Sequence, residues 1–207
     1  MIEEEAAVEL QHVNVKLLLR NPEEVDLEAL VPVFHSWIQE QASEELLLDV
    51  ASYAHVKNGP GVLLIGHEAD YSLDATDGRL GLRYNRKAPV DGGNQARFRQ
   101  AMRAALNALA RLERDARLNG TIRFDGKNVE LFINDRLLAP NNAETRKTVE
   151  PELLGFLDSL VGESEYLVRY ETDPRRLLGA RVQLKREFST KDLLDNVNQD
   201  ASQHAGL

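Results

Sequence analysis

The chain has 207 residues, no cysteine and a formal net charge of −9. That length makes one large domain or two small ones, and the missing cysteine excludes disulfides, thiolate zinc sites and thiol nucleophiles. No apolar run approaches the roughly 18 residues that span a bilayer. The acidic start MIEEEAAVEL lacks the basic segment and apolar core of a secretory signal, so the cytoplasm is the expected compartment, with no membrane association.

The acidic balance argues against a general nucleic-acid binder, which needs clustered cations. The charge is unevenly spread. Residues 1–30 carry eight acids against Lys16 and Arg20, whereas residues 79–117 carry ten bases against Asp91, Glu113 and Asp115. Either the ends fold over the middle and neutralise it, or a basic patch meets an anionic partner.

Residues 1–12 read as an acidic N-terminal segment. Residues 13–20 (VNVKLLLR) alternate and then run apolar, as a strand does, and Asn21-Pro22 ends it. Asp26 is placed to cap a helix to Gln41 with the stripe Leu27, Leu30, Val31, Phe34, Trp37 and Ile38; Pro32 kinks it or moves its start to Val31. Residues 45–53 read as a buried strand, because Leu46-Leu47-Leu48 leaves no solvent face. Asn58-Gly59-Pro60-Gly61 signals a turn. Residues 62–73 and 79–87 are expected to form a hairpin. Its expected register opposes Leu73 to Leu80, Tyr71 to Leu82, Ala69 to Tyr84, His67 to Arg86 and Asp70 to Arg83.

After the loop 88–93, residues 94–118 give the clearest helical period, with Phe98, Met102, Ala105, Leu109, Leu112 and Ala116 inside and Arg99, Arg103, Arg114 and Arg117 beside them. A hairpin is expected around Gly126-Lys127, opposing Phe124 to Val129. A helix follows Pro140-Asn141-Asn142 to about Val161. Strands are expected at 165–172 and 180–188. Ser189-Thr190 caps a short helix, and the last ten residues read as a flexible tail. The two halves (13–87 and 121–188, joined by helix 94–118) share an order of strand, helix, strand, strand at a constant offset of 119 residues, from Pro32 to Pro151 and from Glu68 to Glu187. The pattern is either a β-α-β-β duplication or coincidence in an ordinary chain. Residues 13–188 are therefore read as a single α+β domain. It has an antiparallel-rich mixed sheet with helices on one face, followed by 189–207 as a short helix and tail.

VPVFHSWIQEQ, continuing through GPGVLLIGHEADYSLD and RLGLRYNRK, together with NDRLLAPN, resembles a bacterial family of uncharacterised proteins. The resemblance covers most of residues 13–185 and transfers no activity, cofactor or functional residue.

The candidate chemistry concentrates between residues 55 and 87. His55, His67, Glu68 and Asp70 suggest metal ligands, but on a strand His67 points away from Glu68 and Asp70, so no metal site is expected. His67, on the apolar face beside Arg86, is either a neutral core histidine or part of a pocket for an anion, with His55 arriving on the Gly-Pro-Gly loop. The candidate ligand-binding residues are His55, His67, Arg83 and Arg86. No catalytic triad, P-loop or dinucleotide fingerprint is present, and no catalytic residue or cofactor is assigned. The expected role is a soluble binding or interaction module, self-associating through open strands VNVKLLLR and RVQLKREF, with a protein partner as a further possibility. The alternative is an enzyme or sensor that holds a small anionic metabolite at 55–87.

Overall fold

The computed structural model describes residues 8–203, with side chains to residue 199. The acidic residues 1–7 and the last four residues lie outside that range. Among the described residues the chain forms four α-helices and one eight-stranded sheet, antiparallel in every pairing. The strands are β1 (Val13–Leu19), β2 (Leu47–Tyr53), β3 (Gly61–Gly66), β4 (Ala69–Asp74), β5 (Gly81–Arg86), β6 (Phe124–Ile133), β7 (Tyr166–Tyr170) and β8 (Leu178–Leu184), in the spatial order β2-β3-β4-β5-β1-β6-β8-β7. The helices are α1 (Leu30–Glu40), α2 (Asn94–Arg114), α3 (Ala143–Val161) and α4 (Thr190–Gln203). This is an α+β fold.

Strand alternation builds the core. Val15, Leu17, Leu73, Leu82, Tyr84, Leu131 and Val182 point to one face, where the helices cover them. α1 packs on β2 and β3. α2 lies over the central β1 and β5 and carries α3 and α4 on its flank. Phe98 of α2 stacks on Phe156 of α3 with ring centroids 5.5 Å apart. Pro32 sits in the first turn of α1, where its missing N–H costs no helical bond, so the helix starts near Val31 and not at Asp26. Asn142 caps α3 by accepting from the Thr145 N–H (2.8 Å), and Ser189 and Asp192 cap α4 reciprocally. α4 runs to Gln203, so residues 198–203 are helical where a tail was expected.

Five expectations need correction. The segment 62–73 is two strands, not one: Gly66, His67, Glu68 and Ala69 turn the chain. A side chain at Gly66 would meet the Ala69 carbonyl oxygen at 2.4 Å, so only glycine fits this reversal. β4 and β5 do pair, but two residues along from the expected register: Leu73 faces Leu82, Tyr71 faces Tyr84, and Asp70 faces Asn85 and not Arg83. A two-residue slip keeps every side chain on its face, which is why the apolar pattern alone did not distinguish the two.

Residues 124–133 form one strand and not a hairpin. Its turn chemistry is real but makes a bulge: Leu17 faces Val129 while Leu19 faces Phe124. Asp125 accepts from the Lys127 and Asn128 N–H groups, each at 2.8 Å.

Finally, VNVKLLLR is the central β1 and RVQLKREF includes β8, so neither is an edge. The edges are β2 and β7, and β2 is largely exposed where a buried strand was expected. We expect Gly66→Ala to destabilise the protein by about 1–3 kcal/mol through overpacking, read as a lower denaturant midpoint; an unchanged midpoint would show that the turn can relax.

Candidate binding surface

The four candidate residues do not converge. His67 lies in the β3–β4 turn with its side chain 67% exposed and 3.7 Å from Glu68, not on the apolar face. His55 is exposed beyond the far end of β2. The six-residue β3 separates the two histidines by about 17 Å, at the usual strand rise. Arg86 does sit on the helix side, but its partners are protein groups: the Ala88 and Pro89 carbonyls at 2.8 and 3.2 Å, and Glu45 at 4.0 Å. Arg83 points to the opposite face of the sheet. The expected pocket joining His67, Arg86 and His55 is therefore not formed. Among the described residues no group of three histidine or carboxylate side chains converges.

Arg83 belongs instead to a surface that sequence reasoning did not assemble. Among the described residues no helix covers the second face of the sheet, and a single file of charged residues crosses it. Arg83 faces Lys16, Lys16 faces Glu130, Glu130 faces Arg181, and Arg181 faces Arg169, on five successive strands. Alternation in VNVKLLL, GLRYNR, VELFI, LVRY and ARVQL turns each of these to the face away from the helices; the strand order that brings them into one file is not readable from any one segment.

Lys16 is the centre of the file. Its side chain is 3% exposed and its Nζ lies 2.6 Å from Oδ1 of Asp74, itself 4% exposed. Asp74 also accepts from the Thr76 N–H and hydroxyl (3.1 and 3.0 Å) and lies 3.8 Å from Arg83. The Arg83 guanidinium stands over the Phe132 ring at 5.4 Å. The loop between β4 and β5 folds across the file: Arg79 reaches Glu130 at 2.5 Å, and Asp77 pairs with Arg176 and approaches Arg181 at 3.8 Å. The Arg176 guanidinium holds the Asp77 carboxyl below its ordinary range.

On the helix side, the Glu45 carboxylate accepts from the Tyr71 and Tyr84 hydroxyls (2.8 and 3.0 Å), and Gln100 donates to the Tyr84 oxygen (2.8 Å). Burial pushes both phenols up, Tyr84 to about 12, with the Glu45 charge acting the same way. This cluster closes one end of a groove of about 860 Å³ between α1 and α2, lined by Trp37, Arg103, Arg111 and Arg114. Trp37 packs edge-on to Phe34 and beneath Arg111, whose guanidinium lies 5.1 Å from the indole; the indole N–H has no hydrogen-bond partner among the described residues. Of the expected stripe Arg99, Arg103, Arg114 and Arg117, Arg117 lies beyond α2 and pairs with Asp115; Arg111, outside that stripe, pairs with Glu40.

The open edge strand β2 is a further surface. Leu46, Leu48, Tyr53 and Val56 are all exposed on it or just beyond its ends. The Val50 N–H donates to the neighbouring Asp49 carboxylate (2.8 Å), which marks Val50 as edge-facing. β7, the other edge, has five residues, carries Arg169 and is followed by Pro174. Among the described residues no helix is long and apolar enough to cross a membrane. No protein-family model and no curated protein matches this chain.

Two outcomes test these networks. Lys16→Met leaves Asp74 buried without its ammonium and is expected to cost about 3–5 kcal/mol in denaturant unfolding, with part of that recovered in Lys16→Met/Asp74→Asn; simple additivity of the two changes would show no coupling. The Tyr84 phenol is neutral in the fold and titrates near 10 once unfolded, so its contribution is complete below pH about 10 and is lost as pH rises toward 12. Tyr84→Phe should begin about 1.5–3 kcal/mol less stable, because Glu45 loses a donor, and fall less steeply across that alkaline window; parallel curves would refute the assignment.

Proposed function

We propose that this chain is a soluble, cytoplasmic interaction module that self-associates by pairing β2 with β2 of a second copy. The observation that carries this reading is the concentration of exposed apolar side chains on one unblunted sheet edge: Leu46, Leu48, Tyr53 and Val56 flank a strand with no lysine, arginine or proline. Edge β7 has those protective features, so the two edges are not equivalent.

The strand is complementary to itself. Val50 and Ser52 share the parity that turns main-chain groups outward. Antiparallel pairing of Val50 with Ser52 of the second copy closes a two-fold arrangement. In that register Asp49 faces Tyr53 of the second copy, Leu46 and Leu48 approach its segment 54–56, and no two like charges are opposed. The Asp49 carboxylate leaves the Val50 N–H as the new main-chain bond forms. Closure on a dyad makes a dimer of sixteen strands and leaves both β7 edges outermost.

Sedimentation at tens of micromolar is expected to give a dimer for the natural chain and a folded monomer for Leu48→Lys, since an edge lysine blocks strand addition. A monomeric natural chain, or a Leu48→Lys variant that is still dimeric, would overturn this reading.

A further inference from the structure

The charged file ends in an arrangement that folding alone does not favour. Arg169 and Arg181 are directly opposite on β7 and β8, and like charges in that position destabilise a sheet. Carboxylates relieve the other cations nearby. Arg181 lies 3.6 Å from Glu130 and 3.8 Å from Asp77; Arg176 lies 3.2 Å from Glu171; Arg79 is held by Glu130. Arg169 has no ion-pair partner among the described residues. It is exposed, and it lines a groove of about 410 Å³ together with Arg79, Arg176 and Arg181. Four guanidiniums therefore meet three carboxylates here, on a chain whose overall charge is −9. A local conflict kept by an otherwise consistent fold points to function.

One aromatic side chain, Phe132, lines this groove among mostly polar neighbours. Phe132 faces Gly179 in the next file of the sheet. A side chain at position 179 would meet the Phe132 ring at 2.8 Å, so glycine leaves the ring its place against the strand. The Arg83 guanidinium lies 5.4 Å from the ring centroid, and the ring and Leu167 both line the groove. Guanidinium forks match carboxylate and phosphate oxygens in pairs, and an aromatic ring in the groove wall favours edge-on or offset contact with a planar body. A groove of this size falls within the range of small-molecule sites.

We propose that this groove binds a small anion with a flat apolar body, its phosphate or carboxylate head between Arg169, Arg176 and Arg181 and its ring on Phe132. The head supplies the negative charge missing from the Arg169–Arg181 pair. The site lies at the opposite end of the sheet from β2, so it does not depend on self-association, and a Leu48→Lys monomer retains it.

Calorimetric titration of the full chain at low ionic strength tests this with phenyl phosphate, phthalate and inorganic phosphate. One phenyl phosphate or phthalate is expected to bind per chain. Inorganic phosphate should be about tenfold weaker, the effect of one ring contact. Binding should weaken as salt rises. Arg169→Ala should abolish binding while leaving thermal melting unchanged or slightly higher, because it also removes the like-charge opposition. Phe132→Leu should reduce phenyl phosphate to the level of inorganic phosphate. The proposal is overturned if neither aromatic anion binds, if Arg169→Ala binds as the natural chain does, or if inorganic phosphate binds as tightly as phenyl phosphate.

Discussion

A lysine sits in the middle of the central strand, and the remaining architecture accommodates it. Lys16 is flanked on β1 by residues that build the apolar core, yet strand alternation sends it to the other face. An ammonium that is nearly inaccessible needs a carboxylate at bonding distance. Asp74 supplies one from the end of β4, and the loop after Asp74 closes over the pair. Once this centre is ionic, its neighbours follow: Arg83 on one side, Glu130 on the other, then Arg181. A face with this composition offers little to a helix. All four helices therefore gather on the opposite side, where the same strands present leucine, valine and tyrosine. The one-sided layering follows from a polarity that is already set within VNVKLLL.

The two halves meet at β1 and β6, and each half sends a hairpin to an outer margin, β2–β3 on one side and β7–β8 on the other. β7 begins 119 residues after β2, the offset seen in the sequence. The correspondence stops at β4 and β5. These strands stand between β3 and β1, and no strands stand between β8 and β6. They also carry the loop with Asp77, whose contacts with Arg176 and Arg181 tie the first half of the chain to the second. The two surfaces proposed to act, the apolar margin on one side and the arginine groove on the other, are therefore features that the halves do not share.

Most elements were legible because each depends on local chemistry. The helical period of α2, the break before α3, the capping residues before α4 and the alternation of β1 are properties of short windows. The misreadings have one cause in common. The turn at Gly66 lacks an asparagine-glycine or aspartate-glycine signature, while the Asp125-Gly126 turn has one and is a bulge within a single strand. Whether a turn separates two paired strands or interrupts one depends on which third strand lies alongside. The same limit hid the surface. Arg83 was recognised as a candidate, but its companions come from residues 16, 130, 169 and 181, and only the neighbour order of five strands puts them in line. His67 and Arg86 were brought together by a register two residues away from the true one, a shift that apolar pairing does not penalise.

The chain contains a single tryptophan, and the fold seats it at the seam of α1 and α2, dry, edge-on to Phe34 and beneath Arg111. Its indole N–H has no acceptor among the described residues, and the mouth of the adjoining groove is ringed by charge. All tryptophan emission therefore arises from one place, on the helical face, where α1 packs against the margin strand β2 and the sheet lies between the indole and the arginine groove. The molecule carries its own optical gauge of the helical layer. A change in colour or quenching at this indole reports a disturbance between α1 and α2, unmixed with events on the opposite face of the sheet.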